Sequence, residues 1–338
     1  MELTTFWFIL IAVLWTGYFF LEGFDFGVGM LLHPLGRTEV DRRVMINTIG
    51  PVWDGNEVWL ITAGGATFAA FPNWYATLFS GFYLPLFLIL IALIVRGVAF
   101  EYRGKVDSPR WRAQWDLAIA VGSWVPAVLW GVAFANIVRG VPINEAGDFT
   151  GNLFTLLNPF GLLGGVASAS LFIFHGANFL ALKSLGGIRE RARSTSTVAG
   201  IVTVVAGGTL LVWNQIARGP AWTWITVVVA AGGLVVSLLA DRAHRDGWAF
   251  IASGVAIAAL VVSLFGSLYP DVMPSSTDAA YSLTVDNASS TNYTLRVMSW
   301  VAVIMTPVVL VYQGWSYWVF RKRISAESIP PIHVPTRG

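Results

Sequence analysis

Long apolar runs separated by short polar stretches dominate the pattern of this chain. Nine of these runs are roughly 20 residues long or longer, the length that a helix needs to cross the hydrocarbon core of a bilayer. They cover residues 5–32, 52–72, 76–102, 115–137, 158–183, 195–217, 222–240, 247–268 and 294–320. The pattern therefore predicts an all-α integral membrane protein with about nine transmembrane helices.

The composition agrees with that class. The chain is 56% hydrophobic and only 12% charged, so it cannot present the surface of an ordinary soluble protein. Its 16 tryptophans and 22 phenylalanines suit the aromatic belts found at the two membrane interfaces. There is no cysteine, which excludes disulfides, thiolate metal sites and covalently attached haem. Nothing in the charge pattern indicates nucleic acid as a partner.

The basic residues lie mainly on alternate connections between the predicted spans. The connections after spans 1, 3, 5 and 7 and the C-terminal tail hold 17 of the 21 Lys and Arg, whereas the other connections hold only Arg139 and Arg218. Positively charged connections face the cytoplasm in membrane proteins. The pattern predicts a multi-pass protein with its N-terminus outside and its C-terminus cytoplasmic.

A weak internal repeat relates the first half of the chain to the second. Glu22-Gly-Phe-Asp25-Phe in span 1 aligns with His175-Gly-Ala-Asn178-Phe in span 5. Four spans separate the aligned segments, so the repeat is parallel and not inverted. The repeat predicts two four-helix bundles with an appended peripheral helix. The corresponding units are residues 1–137, residues 158–268, the ninth helix 294–320 and a cytoplasmic tail 321–338.

Several ionisable residues interrupt the apolar spans of the first half. Carboxylates inside a membrane are costly and usually serve a pathway or a partner. With the predicted orientation, six such residues converge on the cytoplasmic half of spans 1 to 3. They are Glu22, Asp25, Asp54, Glu57, Arg96 and Glu101.

Two interpretations of these residues stay open at this point. Five acids and one arginine cannot all remain charged at that depth, so some must hold or share protons. A line of such acids that opens to the cytoplasm is what a proton path requires. Alternatively, the same residues form a polar seam that holds helices 1–3 together, with Arg96 as the counter-ion.

The histidines do not indicate a metal or haem site. His33, His244 and His333 fall in connections or in the tail, and only His175 lies in the middle of a span. No two of the four have the spacing of a ligand pair. The sequence predicts that this chain binds no metal.

Several motifs together resemble subunit II of the cytochrome bd-type quinol oxidases, and the resemblance covers most of the chain. The motifs are Gly23-Phe-Asp-Phe-Gly-Val-Gly-Met30, Arg42-Arg-Val-Met-Ile-Asn47, Trp53-Asp-Gly-Asn56, Trp59-Leu-Ile-Thr-Ala-Gly-Gly65, Phe79-Ser-Gly-Phe-Tyr83, Asn158-Pro-Phe-Gly161 and Met273-Pro-Ser-Ser276. The resemblance implies two four-helix bundles with a peripheral ninth helix, in the plasma membrane of a bacterium.

The resemblance also implies partners and cofactors. Haem b and haem d would belong to a partner, subunit I, against which this chain packs, with small single-helix accessory subunits nearby. Quinol and oxygen would be the reactants of the complex. This chain would bind no haem itself, but it would hold a structural lipid or quinone, either menaquinone or ubiquinone.

Roles for individual residues follow from the same resemblance. A cytoplasmic proton path maps onto Asp54, Glu101 and Arg96, with Asp25 nearby. Glu101 stands where some relatives carry Asp, and Glu57 where some carry Gln, which adds a carboxylate beside Asp54. The resemblance places Trp59 near a lateral route for oxygen. The neighbouring Trp53 and Asn56 are further candidates for the subunit interface or for oxygen access.

Functions from other classes compete with this one. A secondary transporter could couple a proton to its substrate at Asp25 and Asp54, although many transporters have inverted repeats and this repeat is parallel. A third hypothesis is that the chain is an assembly scaffold whose acids only bind subunit I. A haem-bearing partner that co-purifies in mild detergent would favour the oxidase over the transporter.

Overall fold

The structure, a computed structural model, describes residues 2–329 and is almost entirely helical. The helices are α1 (Leu3–Met30), α2 (Leu32–Leu35), α3 (Glu39–Ile49), α4 (Trp53–Ala70), α5 (Pro72–Gly81), α6 (Tyr83–Tyr102), α7 (Pro109–Arg139), α8 (Leu153–Leu156), α9 (Pro159–Lys183), α10 (Gly187–Arg218), α11 (Thr223–Arg242), α12 (Asp246–Leu268) and α13 (Asn292–Val319). Two short antiparallel strands, β1 (Asp271–Met273) and β2 (Leu283–Thr284), lie in the connection before α13. His333 and the rest of the predicted tail beyond residue 329 lie outside the described residues.

Eight helices of the described chain are long and apolar enough to cross a membrane, which confirms the predicted all-α membrane class. They are α1, α6, α7, α9, α10, α11, α12 and α13. The predicted span 52–72 corresponds to α4, which is 18 residues long and carries Asp54, Asn56 and Glu57. It is not among the eight, but it packs along α1.

The predicted single span 76–102 is wrong, because two separate helices cover this stretch. Helix α5 ends at Gly81 and α6 begins at Tyr83. Pro85 explains the break, since a proline has no N–H for the carbonyl four residues earlier and its ring clashes with that carbonyl. The Thr77 hydroxyl of α5 donates to the Gly147 carbonyl at 2.7 Å, so α5 packs against the connection between α7 and α9.

Two other helices begin earlier than predicted. Helix α7 begins at Pro109 rather than at residue 115, because Ser108 caps it and proline suits the first helical position. Helix α10 begins at Gly187 rather than at residue 195. The basic residues predicted in a loop before span 6 therefore lie on the first turns of α10.

Helix α3 was predicted as part of a loop and is a capped surface helix. Thr38 and Asp41 form a reciprocal capping box, in which the Asp41 N–H donates to the Thr38 hydroxyl at 3.0 Å. The helix buries Val44, Met45 and Ile49 against the ends of the membrane helices.

Helix α1 is the central element of the bundle, packing against α4, α7, α9 and α12. It crosses α9 at Gly27 and Gly176, where the two backbones touch. A Cβ on Gly27 would lie 2.0 Å from the Phe172 carbonyl oxygen. Small residues permit such close helix contacts inside membranes. The division into units 1–137 and 158–268 stays a prediction.

The connections divide between two ends of the molecule. At the end that we call the basic end, the Ile324 N–H donates to the Lys183 carbonyl at 2.8 Å, and Arg191 pairs with Asp41 at 2.8 Å. At the opposite end, the Ser290 N–H donates to the Ala70 carbonyl at 2.8 Å. The connections that were predicted to be cytoplasmic thus share one end. Which end faces the cytoplasm stays a prediction.

Candidate functional site

A buried arginine holds two carboxylates at the centre of the candidate site. Arg96 of α6 donates from Nη1 to Glu22 Oε2 of α1 at 2.8 Å and to Glu57 Oε1 of α4 at 3.0 Å. The side chains of Arg96 and Glu22 are fully buried, and that of Glu57 is 22% exposed. The rings of Phe26 and Phe100 lie 4.9 and 5.4 Å from the guanidinium carbon, within range of cation–π contact.

A third carboxyl group lies one turn along α1 from Glu22. Asp25 is fully buried, and its Oδ2 accepts a hydrogen bond from the Asn56 amide nitrogen at 2.7 Å. The Asn56 oxygen in turn accepts from the Tyr317 hydroxyl at 2.7 Å and from Gln313 Nε2 at 3.3 Å. The peripheral helix α13 is thereby connected to the site.

We call Glu22, Asp25, Glu57 and Arg96 the buried acid cluster. It holds three carboxyl groups against one guanidinium, in the half of the bundle nearer to the basic end. Four of its atoms are buried without a hydrogen-bond partner among the described residues: Glu22 Oε1, Asp25 Oδ1, and Arg96 Nε and Nη2. Carboxyl oxygens that are not committed to a partner can accept a proton, so the cluster can store or pass one.

The other two predicted acids lie outside this cluster. Asp54 in the first turn of α4 and Glu101 in the last turn of α6 are exposed, and neither forms a hydrogen bond or ion pair with any residue from 2 to 329. Asp54 and Glu57 are three residues apart, which separates their directions by about 60° around a helix. Glu57 can therefore face Arg96 while Asp54 faces outward.

The aromatic candidates pack at the edges of the site. Trp53 lies against Phe100, with ring centroids 5.0 Å apart. Trp59 covers Gly17 of α1, where a Cβ would lie 2.1 Å from the indole ring. The Trp59 indole N–H donates to Gln313 Oε1 at 2.8 Å. Their roles in oxygen access or at a subunit interface stay predictions.

The one histidine of the described chain that lies in the middle of a membrane helix, His175, has no free ring nitrogen for a haem iron. Both ring nitrogens of the buried His175 are engaged, Nδ1 at 2.7 Å from Ser253 Oγ and Nε2 at 3.1 Å from the Phe20 carbonyl oxygen. The ring stacks on Phe250 at 4.6 Å. Residues 2–329 contain no group of three metal-ligating side chains that could hold a metal ion.

An ion-pair cluster that the sequence did not predict lies at the basic end. Arg103 Nε donates to Asp116 Oδ1 at 2.5 Å and Nη2 to Glu39 Oε2 at 2.9 Å. Arg42 pairs with the other Asp116 oxygen at 2.9 Å. Burial lowers the pKa of Arg103, but the two carboxylates raise it more, so its pKa lies above the ordinary value. Asp116 falls inside the predicted span 115–137 and could have been found there.

A second cluster at this end gathers three arginines around one acid. Asp246, the first residue of α12, accepts from Arg189 at 2.7 Å, from Arg193 at 2.6 Å and from Arg323 at 2.8 Å. Arg323 follows α13, so this acid joins the segment after the last helix to α10 and α12.

A large apolar cavity lies among α1, α4, α5, α6 and α7, and no residue of the buried acid cluster lines it. Its volume is about 540 Å³, and Leu60, Phe68 and Leu93 are among its lining residues. Trp74 also lines it, and the Trp74 indole N–H has no acceptor within the described part of the chain. Such a lining suits an apolar molecule. The implied quinone or lipid stays a prediction.

Comparison with known proteins gives one consistent family. Residues 3–320 match the family described as "Cytochrome bd terminal oxidase subunit II". The chain is 46% identical over 328 residues to "Cytochrome bd ubiquinol oxidase subunit 2" of Bacillus subtilis (strain 168), a match that covers 94% of this chain and 96% of the relative. It is 42% identical over 361 residues to "Cytochrome bd-I ubiquinol oxidase subunit 2" of Escherichia coli (strain K12), covering 96% and 95%.

A solved structure shares the fold. The chain superposes with a TM-score of 0.77 on a chain of "The structure of bd oxidase from Geobacillus thermodenitrificans", covering 95% of this chain and 98% of that one at 17% sequence identity. The similarity to that structure supports the helical arrangement alone. Because the family match and the relatives span nearly the whole sequence, the chain belongs to the cytochrome bd terminal oxidase subunit II family.

Proposed function

We propose that this chain is subunit II of a quinol-oxidising, oxygen-reducing complex of the bacterial plasma membrane, and that it supplies a proton path to that complex. Its relatives are named as second subunits of ubiquinol oxidases. The haem chemistry would be carried by a partner, subunit I, which agrees with the engagement of both ring nitrogens of His175. Quinol and oxygen would react there, and this chain alone would not be catalytic.

The exposed face of α4 is a candidate surface for packing against that partner. Asp54, Thr62 and Gly65 are exposed on this helix. Exposed small and polar residues on a membrane helix are typical of helix–helix contacts, whereas lipid would leave a carboxylate without a partner. We place subunit I on this face.

The observation that carries the proton-path proposal is the buried acid cluster itself. Three carboxyl groups lie with a single guanidinium inside the bundle, and within residues 2–329 that guanidinium pairs with Glu22 and Glu57 only. Glu22 and Asp25 each retain an oxygen with no partner among the described residues. Glu57 connects this interior to the surface near the basic end, where Asp54 is exposed. Reduction of oxygen consumes protons, and this arrangement would deliver them from the cytoplasm through Asp54 and Glu101.

Removal of the titratable groups tests this path. In Asp25→Asn and Glu22→Gln, the side chain keeps its shape but no longer carries a proton. We expect quinol-dependent oxygen consumption to fall by at least about tenfold, the lower end of losses in acid–base catalysis. The haem content of the purified complex should stay normal. Glu190→Gln is the matched control, because Glu190 is a 66% exposed acid at the basic end.

The outer acids test the mouth of the path. Asp54→Asn should slow turnover, and Glu101→Gln should do so less severely. The Asp54→Asn, Glu57→Gln double variant removes the exposed acid of α4 and the carboxyl group by which α4 reaches Arg96. A double variant with full haem content and the wild-type rate would contradict the path and favour a scaffold role. A colourless chain that purifies without a haem-bearing partner would favour a transporter.

A further inference from the structure

A chain of hydrogen bonds with one fixed direction runs from α4 through α13 to the buried Asp25. It starts at Trp59, whose indole N–H can donate but cannot accept. This N–H donates to Gln313 Oε1 at 2.8 Å. The Gln313 amide oxygen must therefore face Trp59, which turns its NH₂ group towards Asn56 Oδ1 at 3.3 Å.

The Gln313 NH₂ group can only donate, so the Asn56 atom that faces it must be the amide oxygen. Asn56 Oδ1 also accepts from the Tyr317 hydroxyl at 2.7 Å, so this oxygen faces α13. The Asn56 NH₂ group then faces α1 and donates to Asp25 Oδ2 at 2.7 Å. A flip of either amide would oppose two donors or two acceptors, and so the donor-only indole sets the orientation of the whole chain.

Gln313 and Tyr317 are polar side chains on a helix that is otherwise mostly exposed. Residues 303–312 of α13 are exposed throughout, and its contacts with the bundle lie towards its two ends. Gln313 and Tyr317 are four residues apart and share a face, and both are partly buried against α4. Two polar side chains next to this exposed stretch therefore both donate to the Asn56 oxygen.

We propose that Trp59, Gln313 and Tyr317 are positioning residues for Asp25: they lock the Asn56 amide with its NH₂ group on Asp25 Oδ2. This leaves Asp25 Oδ1, which is buried and has no partner among the described residues, as the oxygen that takes the proton. The orientation follows from the contacts alone. Its effect on turnover rests on the proposed proton path.

Infrared difference spectroscopy of the intact, haem-containing complex tests the positioning. The Asp25 carboxyl band is first assigned by its loss in Asp25→Asn. We expect the frequency of this band to shift in Gln313→Met and in Tyr317→Phe, because each variant removes one of the two donors that hold the Asn56 oxygen and so loosens the amide that donates to Asp25. Tyr312→Phe is the matched control, since Tyr312 lies on the same helix and is 73% exposed. It should leave the band in place.

Turnover gives a second measurement. We expect Gln313→Met to slow quinol-dependent oxygen consumption by roughly two- to tenfold, the effect of losing about one net hydrogen bond. The Trp59 indole N–H reaches Asn56 only through Gln313, and the phenyl ring of Trp59→Phe still packs over Gly17. Adding Trp59→Phe to Gln313→Met should therefore cost little more, whereas independent effects would multiply.

The outcomes separate this inference from the proposed function. If Tyr317→Phe and Gln313→Met both leave the Asp25 band unmoved, the positioning role is wrong, even where Asp25→Asn abolishes turnover. If the band shifts but Asp25→Asn turns over at the wild-type rate, the positioning stands and the proton path is wrong. Should Gln313→Met fail to assemble, Tyr317→Phe decides, because it removes a single hydroxyl group.

Discussion

Arg96 is a single buried cation that serves two carboxylates from one nitrogen. Its Nη1 donates to Glu22 and to Glu57, while its other nitrogens have no partner among the described residues. Removing charges from water is expensive, and a buried pair compensates that cost only through good geometry. Loss of the cation would leave Glu22 buried and unpaired, so the arginine and the acid should depend on each other for stability.

Arg96→Met should lower the stability of the complex by about 3–5 kcal/mol, the usual cost of removing one member of a buried ion pair. The measurement is the thermal unfolding midpoint of the solubilised complex. Adding Glu22→Gln to Arg96→Met should recover part of the loss, because the stranded acid becomes neutral. A double variant as unstable as Arg96→Met would show that the arginine acts through packing instead.

At the scale of the elements, the crossing of α1 and α9 fixes where the site residues of α1 lie. A Cβ on Gly176 would lie 2.5 Å from the Gly27 Cα, so the two helices touch through their backbones. The crossing is next to Asp25, and any separation of the helices would move this acid relative to Asn56. Gly27 and Gly176 therefore allow the close packing of α1 and α9 and also determine the position of Asp25.

Gly176→Ala should force the two helices apart and destabilise the protein by at least the 1–3 kcal/mol or so typical of overpacking. Gly232→Ala is the matched control on α11, because a Cβ there would meet nothing within 4 Å. Yield and thermal midpoint of the solubilised complex provide the measurement. Equal stability of the two variants would be incompatible with a close crossing at Gly176.

The elements also show what could be predicted from sequence. Hydropathy predicted the order and approximate bounds of the membrane helices, because each apolar run must span the same thickness. It did not predict the break between α5 and α6, since Phe82 and Tyr83 are as apolar as their neighbours. Pro85, four residues after Gly81, was the available signal.

The site was predicted less completely than the fold. Counting ionisable residues inside spans identified three acids, Glu22, Asp25 and Glu57, and the base Arg96, which the structure brings together. It could not separate them from Asp54, because the direction of a side chain around a helix depends on which neighbours that helix packs against. Partners on distant helices were missed for the same reason. Gln313 and Tyr317 lie four residues apart in an apolar run. This spacing was the available signal that α13 contributes side chains to the site.

At the scale of the whole molecule, ion pairs concentrate at the basic end. Asp246 joins α10, α12 and the segment after α13 through three arginines, and Arg103 joins α3, α6 and α7 through Glu39 and Asp116. The opposite end is held largely by main-chain and hydroxyl hydrogen bonds, such as that between Ser290 and Ala69. The two ends of the protein thus differ in the kind of contact that holds them.

This asymmetry predicts how the protein lies in the membrane. The connections at the basic end and the tail hold 17 of the 21 Lys and Arg, and such connections remain on the cytoplasmic side. A phosphatase reporter that is active only after export should therefore be inactive when fused after Gly338. The same reporter inserted after Asp278, in the long connection at the opposite end, should be active. An active fusion after Gly338 together with an inactive insertion after Asp278 would reverse the orientation, and would also place Asp54 and the mouth of the proton path on the outer side.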